Sequence, residues 1–309
     1  MTSLQRTSQS ATSLTTLPVV ALFAFVVCAW GLNWVVMKIV VRELTPLWAV
    51  AIRTLIALAV LLPAVSLTGQ FVVPTRRDMP VVLVISLFHM VAFVALMTVG
   101  LAHVSAGRAI VLGYTTPLWV APAAWFFLKE DLSFKRVLGI CLGLSGLLLL
   151  FDPRAFDWTS QDALRGNGLI LLAALSWSIS IVYTRAHRWV ATPFQLVLWQ
   201  ILVAAVVLTG LAFYLEGLPV FSLSMPAVLA LMYNGAVGTA LGYWAMTVVN
   251  KELPAIAVSL GITATPVVGL ILSTLMLAEP IDIILIASSL LILIGIAIGI
   301  FSWRVMKTG

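Results

Sequence analysis

Long apolar blocks alternate along this chain with short breaks that hold most of its polar and charged residues. A helix needs about 20 mostly apolar residues to span a bilayer. On that criterion the pattern predicts an all-α integral membrane protein with ten transmembrane helices. Their predicted ranges are 17–40, 46–68, 80–101, 105–128, 134–151, 167–188, 193–215, 226–249, 254–277 and 281–303.

Two stretches repeat each other and divide the chain into halves. The stretch 114–130 (YTTPLWVAPAAWFFLKE) matches 262–279 (ITATPVVGLILSTLMLAE). Pro117 aligns with Pro266 and Glu130 with Glu279, each 149 positions later. Because each half has five helices, an odd number, the second half crosses the membrane in the opposite sense to the first. We expect two inverted five-helix repeats, an architecture of secondary transporters that bind substrate between the repeats.

This division predicts five segments. Residues 1–16 are rich in Ser and Thr, and we expect them to form a disordered cytoplasmic tail. The first repeat takes 17–152, a connecting loop 153–166, the second repeat 167–304 and a second cytoplasmic tail 305–309.

The composition excludes a soluble protein and changes how the positive net charge is interpreted. The chain is 62% hydrophobic and 9% charged, whereas soluble domains carry about 25% charged residues. The net charge of +6 is therefore better explained by orientation in a bacterial inner membrane than by nucleic-acid binding. With both termini in the cytoplasm, eleven Lys and Arg residues fall on the cytoplasmic side and five on the other.

The two cysteines, Cys28 and Cys141, lie within apolar runs and suit small core positions. Neither a disulfide framework nor a metal-ligand spacing is present in the sequence. We expect no cofactor and no metal.

One face of helix 1 carries a candidate substrate-binding group. Trp30, Asn33 and Met37 follow one another at spacings of three and four, which places them on the same face. The matching face of helix 6 has Trp177 and Ser180, followed by Thr184. Rings, an amide, hydroxyls and a thioether suit an amphipathic small molecule; the alternative is interhelical packing with polar contacts.

Three further residues are candidates for substrate binding. His89 lies near the middle of helix 3, where a polar side chain is costly. It could carry a proton, bind substrate or bond a neighbouring helix. Tyr114 precedes the first Thr-Thr-Pro sequence, and Tyr243 follows a glycine in helix 8.

Arg53 in helix 2 has three open interpretations. It could reach the nearer interface, pair with Glu43 or bind a substrate carboxylate.

Six residues are candidates for gating or for kinks in the helices. Proline removes a backbone donor and bends a helix, and glycine permits a hinge or a close approach. We expect Glu130 to help close the cytoplasmic side and Glu279 the periplasmic side. The candidates are Pro117, Pro266, Glu130, Glu279, Gly238 and Gly242.

With these residues in view, the chain resembles the drug/metabolite transporter superfamily, in particular its ten-helix EamA-type exporters. The resemblance covers about residues 17–304. It is carried by the proline and glutamate of the fourth helix in each half, by Arg53 and by Gly139-x-x-x-Gly143. Ser105-Ala106 and Pro254-Ala255, at the entries to the fourth helices, also fit.

The resemblance implies an inner-membrane secondary transporter with a central cavity. Within the family the chain is most similar to YddG-type exporters of aromatic and other neutral amino acids. The implied partners are an amino-acid substrate and the lipid bilayer, without nucleic acid, and a monomer is one possible assembly.

Other functions remain open at this point. The predicted helix interiors contain no Asp or Glu, which favours facilitated export, or proton coupling through His89, over carboxylate-based coupling. An exporter of lipophilic cations, drugs or sugars in the same fold is the main alternative. An intramembrane serine protease, with Ser145 in Gly143-Leu144-Ser145-Gly146 and His187 as base, is a remote one. We expect a transporter and not an enzyme.

Overall fold

The fold is a bundle of helices. The computed structural model describes residues 16–101, 103–104, 109, 112–150, 160–219, 223–277 and 283–306, and all regular structure within these ranges is helical. The helices are α1 (Thr16–Val40), α2 (Pro46–Leu67), α3 (79–101), α4 (Thr116–Leu128), α5 (Phe134–Leu150), α6 (Gln161–Ala186), α7 (Pro193–Glu216), α8 (Met225–Glu252), α9 (Ala255–Gly261), α10 (Ala264–Leu277) and α11 (Ile283–Met306).

Six of these helices, namely α1, α2, α3, α6, α7 and α8, are long and apolar enough to cross a bilayer. Shorter apolar stretches are Thr116–Leu128, Ala255–Gly269 and Ile286–Gly299. Of the predicted tails 1–16 and 305–309 and the predicted loop 153–166, residues 1–15, 307–309 and 153–159 lie outside the described residues. Thr16 belongs to α1, and residues 305–306 belong to α11. The helix α6 begins earlier than predicted, at Gln161, because Ser160 Oγ accepts a hydrogen bond from the Ala163 N–H (3.0 Å) and caps it.

Two helices that were predicted as continuous are interrupted. A turn at Ile262–Thr263 separates α9 from α10, and Thr115 interrupts the helix before α4. The hydroxyls of Thr115 and Thr263 donate to the carbonyls of Leu112 and Leu260, each at 2.6 Å. Pro117 and Pro266 accordingly lie in the first turn of a new helix, where proline is tolerated, instead of bending one continuous helix.

Two helices contain a π-helical segment of eight residues that the sequence pattern did not predict. These segments are Ile85–Ala92 in α3 and Asn234–Leu241 in α8. The second segment begins and ends 149 positions after the first, which is the interval that separates Pro117 from Pro266. Segments of this kind occur often at functional sites.

The packing places α1 and α6 in the middle of the bundle. The helix α1 contacts α8 and α10, while α6 contacts α3 and α4; α2 pairs with α7, and α5 with α11. Glycines allow the last pair to touch along the backbone: a Cβ added at Gly139 would lie 2.6 Å from Gly295 O and 2.9 Å from Gly299 Cα.

The glycine contact between α5 and α11 predicts a stability effect. In Gly139→Ala, the new methyl group has no room, and overpacking of this kind costs about 1–3 kcal/mol. We expect a lower melting temperature for the purified protein in detergent. The matched control is Gly168→Ala on α6, where a Cβ meets nothing within 4 Å; it should melt at the wild-type temperature or above it, since alanine favours a helix. Equal melting of wild type and Gly139→Ala would contradict the contact.

Candidate substrate site

A cluster of aromatic rings, here called the ring cluster, occupies the centre of the bundle. His89 stacks on Trp177, with ring centroids 5.1 Å apart and planes inclined by 17°. Tyr243 meets His89 edge-on at 4.9 Å, and Trp30 lies 5.7 Å from each of these two rings. The members of the cluster are Trp30, His89, Phe93, Tyr114, Trp177 and Tyr243.

The five aromatic and histidine side chains proposed from the sequence thus lie together, although they come from four helices and from the turn before α4. Phe93 was missed. It lies 4.9 Å from Trp177 between ring centroids and follows His89 by four residues, a spacing that places two side chains on one helix face. That spacing could have identified it.

Two glycines of α8 allow α1 to approach closely. The Trp30 indole Nε1–H donates to the Gly238 carbonyl at 2.9 Å. A Cβ at Gly242 would lie 2.7 Å from that indole nitrogen, and a Cβ at Gly238 would lie 2.7 Å from Asn33 Oδ1. The structure therefore gives both glycines a packing role against Trp30 and Asn33; their hinge role stays a prediction.

The π-helical segments lie at the centre of this arrangement. His89 is on the segment in α3, and Gly238, 149 positions later, is on the segment in α8. One segment supplies a ring to the cluster, and the other supplies the carbonyl that Trp30 binds. The two positions differ chemically, so the site is asymmetric.

On two helices that carry the ring cluster, several buried polar atoms have no hydrogen-bond partner within the described part of the chain. On α6 they are Trp177 Nε1, Ser180 Oγ and Thr184 Oγ1, and on α1 the atom is Asn33 Oδ1. The three α6 residues are at most 1% exposed. An unpaired buried polar group costs about 1–3 kcal/mol, and such groups call for an explanation such as a bound ligand or water.

The remaining predicted substrate-binding residue, Met37, is half-buried. It packs against the apolar core that includes much of α2 and α7. Its role in binding stays a prediction.

Glu130 forms a contact between the two predicted halves. Lys129 ends α4 in the left-handed conformation (φ 56°). The Glu130 carboxylate then accepts from the backbone N–H groups of Ala255 (2.7 Å) and Ile256 (3.2 Å), which begin α9. A carboxylate at a helix N-terminus is stabilised by unpaired N–H groups and by the helix dipole. Glu279 lies outside the described residues.

Glu43 and Glu216 bind backbone groups at the end of the bundle opposite Glu130. At this end, here called the Glu43 end, α1 and α7 end and α2 and α8 begin. Glu43 accepts hydrogen bonds from the Ser224 N–H and from the Ser224 hydroxyl, both at 2.6 Å. The bond from the hydroxyl, and to a smaller extent the bond from the N–H, lowers the pKa of Glu43. Glu216 accepts from the N–H groups of Leu47 (2.9 Å) and Trp48 (3.1 Å) at the start of α2.

Asp78 makes hydrogen bonds at the end of the bundle opposite the Glu43 end. At this end, here called the Asp78 end, α2 and α6 end and α3 and α7 begin. Its carboxylate accepts from the N–H groups of Val190 and Ala191, both at 3.0 Å. His187 Nε2 lies 3.4 Å from it. Burial would raise the pKa of Asp78, but these hydrogen bonds and one from Thr75 outweigh burial and leave that pKa below its ordinary value.

Comparison with known proteins identifies the family. The sequence profile of the EamA-like transporter family matches residues 17–152 and again residues 164–301. The chain belongs to the EamA-like transporter family. The resemblance found in the sequence is thereby confirmed at the level of the family, and this EamA-like transporter is a multi-pass membrane protein.

Relatives extend over nearly the whole chain. The uncharacterized transporter YoaV of Bacillus subtilis (strain 168) is 28% identical over 278 residues, 90% of this chain and 95% of YoaV. A probable amino-acid metabolite efflux pump of Escherichia coli (strain K12) is 28% identical over 295 residues, 91% and 94% of the two chains. A solved crystal structure shares the fold at 18% identity, with a TM-score of 0.79 over 95% of this chain and 100% of that chain.

The Asp78 contacts predict an acid-dependent stability of this EamA-like transporter. Because folding lowers the pKa of Asp78, the ionised carboxylate stabilises the fold above its unfolded pKa of about 3.9. That contribution is lost as the pH falls through the lower folded pKa. We expect Asp78→Asn to melt at a lower temperature than wild type at pH 7, with the difference shrinking below about pH 4.

The control for this comparison is Asp131→Asn, an exposed carboxylate, which should follow the wild-type melting curve at each pH. A constant difference between Asp78→Asn and wild type down to acid pH would show that the Asp78 charge does not stabilise the fold.

Proposed function

We propose that this transporter exports small amphipathic metabolites, above all aromatic and other neutral amino acids, by alternating access through a central cavity between two inverted repeats. The observation that carries the proposal is the ring cluster together with the unpaired polar atoms beside it. A site of this kind combines stacking surfaces with hydrogen-bonding groups.

The chemistry of the cluster matches such a solute. Aromatic pairs contribute about 0.5–1.5 kcal/mol beyond the area that they bury, so Trp30 and Trp177 suit a flat or apolar side chain. The hydroxyls of Ser180 and Thr184 and the amide of Asn33 suit an amino group. Relatives named probable amino-acid metabolite efflux pumps support both the substrate class and the outward direction.

The inverted repeat is supported by pairs of equivalent contacts. The helix α1 packs on α8 and α10, as α6 packs on α3 and α4. Trp48 of α2 donates its indole N–H to the Gly217 carbonyl after α7, and Trp199 of α7 donates to the Val72 carbonyl after α2, both at 2.8 Å. We propose ten spans in a bacterial inner membrane with both termini in the cytoplasm.

In this arrangement the Asp78 end faces the cytoplasm, and Glu130 closes it by holding the start of α9. Glu279, at the equivalent position, would act on the periplasmic side. The interruptions at Pro117 and Pro266, and the close contacts at Gly238 and Gly242, are the places where we expect the backbone to adjust.

The alternatives have less support. A lipophilic cation would meet the positive charge of Arg53 near the ring cluster. A protease is not favoured, because Ser145 lies on an exposed face of α5, whereas the ring of His187 contacts Asp78, Tyr183 and Trp189. The family is one of transporters, and the two relatives compared above are named a transporter and a probable efflux pump; we propose no catalytic activity.

Counterflow in proteoliposomes tests the substrate class. Vesicles loaded in turn with phenylalanine, tetraphenylphosphonium and glucose should accumulate the labelled form of phenylalanine alone. In Trp177→Leu, which loses the ring that stacks on His89, phenylalanine counterflow should fall at least about tenfold, the equivalent of about 1.4 kcal/mol. The control is Trp125→Leu, since Trp125 is 56% exposed on α4. Counterflow of the cation or the sugar without phenylalanine would overturn the proposal.

The gating role of Glu130 is tested by cysteine labelling. In a background with Cys28 and Cys141 replaced by serine, Ser259→Cys places a thiol in buried α9. Glu130→Gln weakens the hold on α9, because a neutral amide is a poorer acceptor than a carboxylate. Labelling by an impermeant reagent from the cytoplasmic side should become several-fold faster.

Glu252→Gln serves as the control, because Glu252 lies at the same end but pairs only with its neighbour Lys251 among the described ion pairs. Equal labelling rates with glutamate and with glutamine at position 130 would remove Glu130 from the gate.

A further inference from the structure

Arg53 brings a positive charge into the interior of the bundle. It lies seven residues beyond the first residue of α2, about 10 Å along the helix axis. Its Nη1 donates to Asn234 Oδ1 on α8 at 3.2 Å. Its Nε atom is inaccessible and has no hydrogen-bond partner among the described residues. Arg53 therefore neither pairs with Glu43, which binds Ser224, nor extends freely to the membrane surface.

No carboxylate of the described residues neutralises this charge. The ion pairs among the described residues are His103–Asp162, His187–Asp78 and Lys251–Glu252, and all three lie near helix ends. Arg53 is half-buried, with an inaccessible Nε, and withdrawing a charge from water without a counter-ion is costly. The position of Arg53 thus favours an anionic group that the protein itself does not supply.

Asn234, which accepts the hydrogen bond from Arg53, also has a donor that no described residue satisfies. It is fully buried, and although its Oδ1 accepts from Arg53, its Nδ2 has no partner in the described ranges. The next residue, Gly235, lets α8 pack directly on α2, since a Cβ there would lie 2.9 Å from the Arg53 carbonyl oxygen. Each of the two side chains consequently has one inaccessible N–H donor, Arg53 Nε and Asn234 Nδ2, without a partner among the described residues.

This pair lies next to the ring cluster. Asn234 and Gly238 lie on the same π-helical segment of α8. Along α8, Asn234 precedes Gly238, whose carbonyl binds the Trp30 indole, by four residues, or about one turn. The pair and the Trp30 contact are thus adjacent on α8.

We propose that Arg53 and Asn234 bind the carboxylate of the transported amino acid, with the guanidinium and the side-chain amide donating to its oxygens. The inference rests on the proposed function and adds a selection rule to it: the solute needs a carboxylate as well as a ring. The position equivalent to Arg53 in the second half is Gln200, which has no charge, so the carboxylate binds on the α2 side and orients the solute.

Binding of L-phenylalanine and of phenethylamine, which lacks the carboxylate, tests this rule. Charge-assisted hydrogen bonds contribute about 1.5–3 kcal/mol, so the purified wild-type protein should bind phenylalanine about 10–100 times more tightly than phenethylamine. Arg53→Gln, which introduces the residue found at position 200, should weaken phenylalanine binding by the same factor and change phenethylamine binding less than about threefold. The matched control is Arg42→Gln at an exposed position, which should keep the wild-type preference.

A second variant keeps the proposal testable if Arg53→Gln does not fold. Asn234→Asp gives Arg53 a counter-ion inside the protein, so we expect a higher melting temperature together with the loss of phenylalanine binding. A purely structural role for the pair predicts the higher melting temperature without that loss.

The outcomes separate this inference from the function on which it rests. Wild type that binds the amine as tightly as phenylalanine, or variants that retain the wild-type preference, would overturn carboxylate binding by Arg53 and Asn234 and leave phenylalanine export standing. Wild type that binds neither compound would overturn both.

Discussion

The hydrogen bond from the Trp30 indole to the Gly238 carbonyl is the interaction on which the centre of this protein depends. A backbone carbonyl in the middle of a membrane protein is normally used by its own helix, since no water is present to replace that partner. Here the carbonyl belongs to the π-helical segment of α8, where the backbone pairing is altered. The absence of a side chain at Gly238 and Gly242 lets the indole reach it. The same contact places Trp30 edge-on to His89 and Tyr243, so the geometry of the ring cluster follows from it.

The sequence predicted most of the apolar spans and the residues of the ring cluster, for physical reasons that are visible along the chain. Apolar length predicts helices in a bilayer, and polar or aromatic residues at spacings of three and four predict a shared face. Trp30, His89 and Trp177 could therefore be proposed together. Their convergence could be expected only from the family resemblance and the internal repeat.

The remaining features depend on distant parts of the chain or on backbone choices that leave no pattern. The π-helical segments shift hydrogen-bond pairing by one residue without changing the periodicity enough to be recognised in short apolar runs. Arg53 had three open interpretations in the sequence, and none of them named Asn234, the residue 181 positions later to which it donates. The interruption at Ile262–Thr263 resembled a proline kink, because the prediction treated Pro266 as interior to a helix when it lies in the first turn of a new one.

The glycine contact between α5 and α11 has a consequence for motion. At Gly139 and Gly146 the two backbones touch so closely that neither helix has a layer of side chains on which to slide. Protein packing of this density resists gradual deformation and tends to move as a unit. The α5–α11 pair is therefore a rigid unit, so the shape changes of the transport cycle that we propose must be taken up by helices outside this pair.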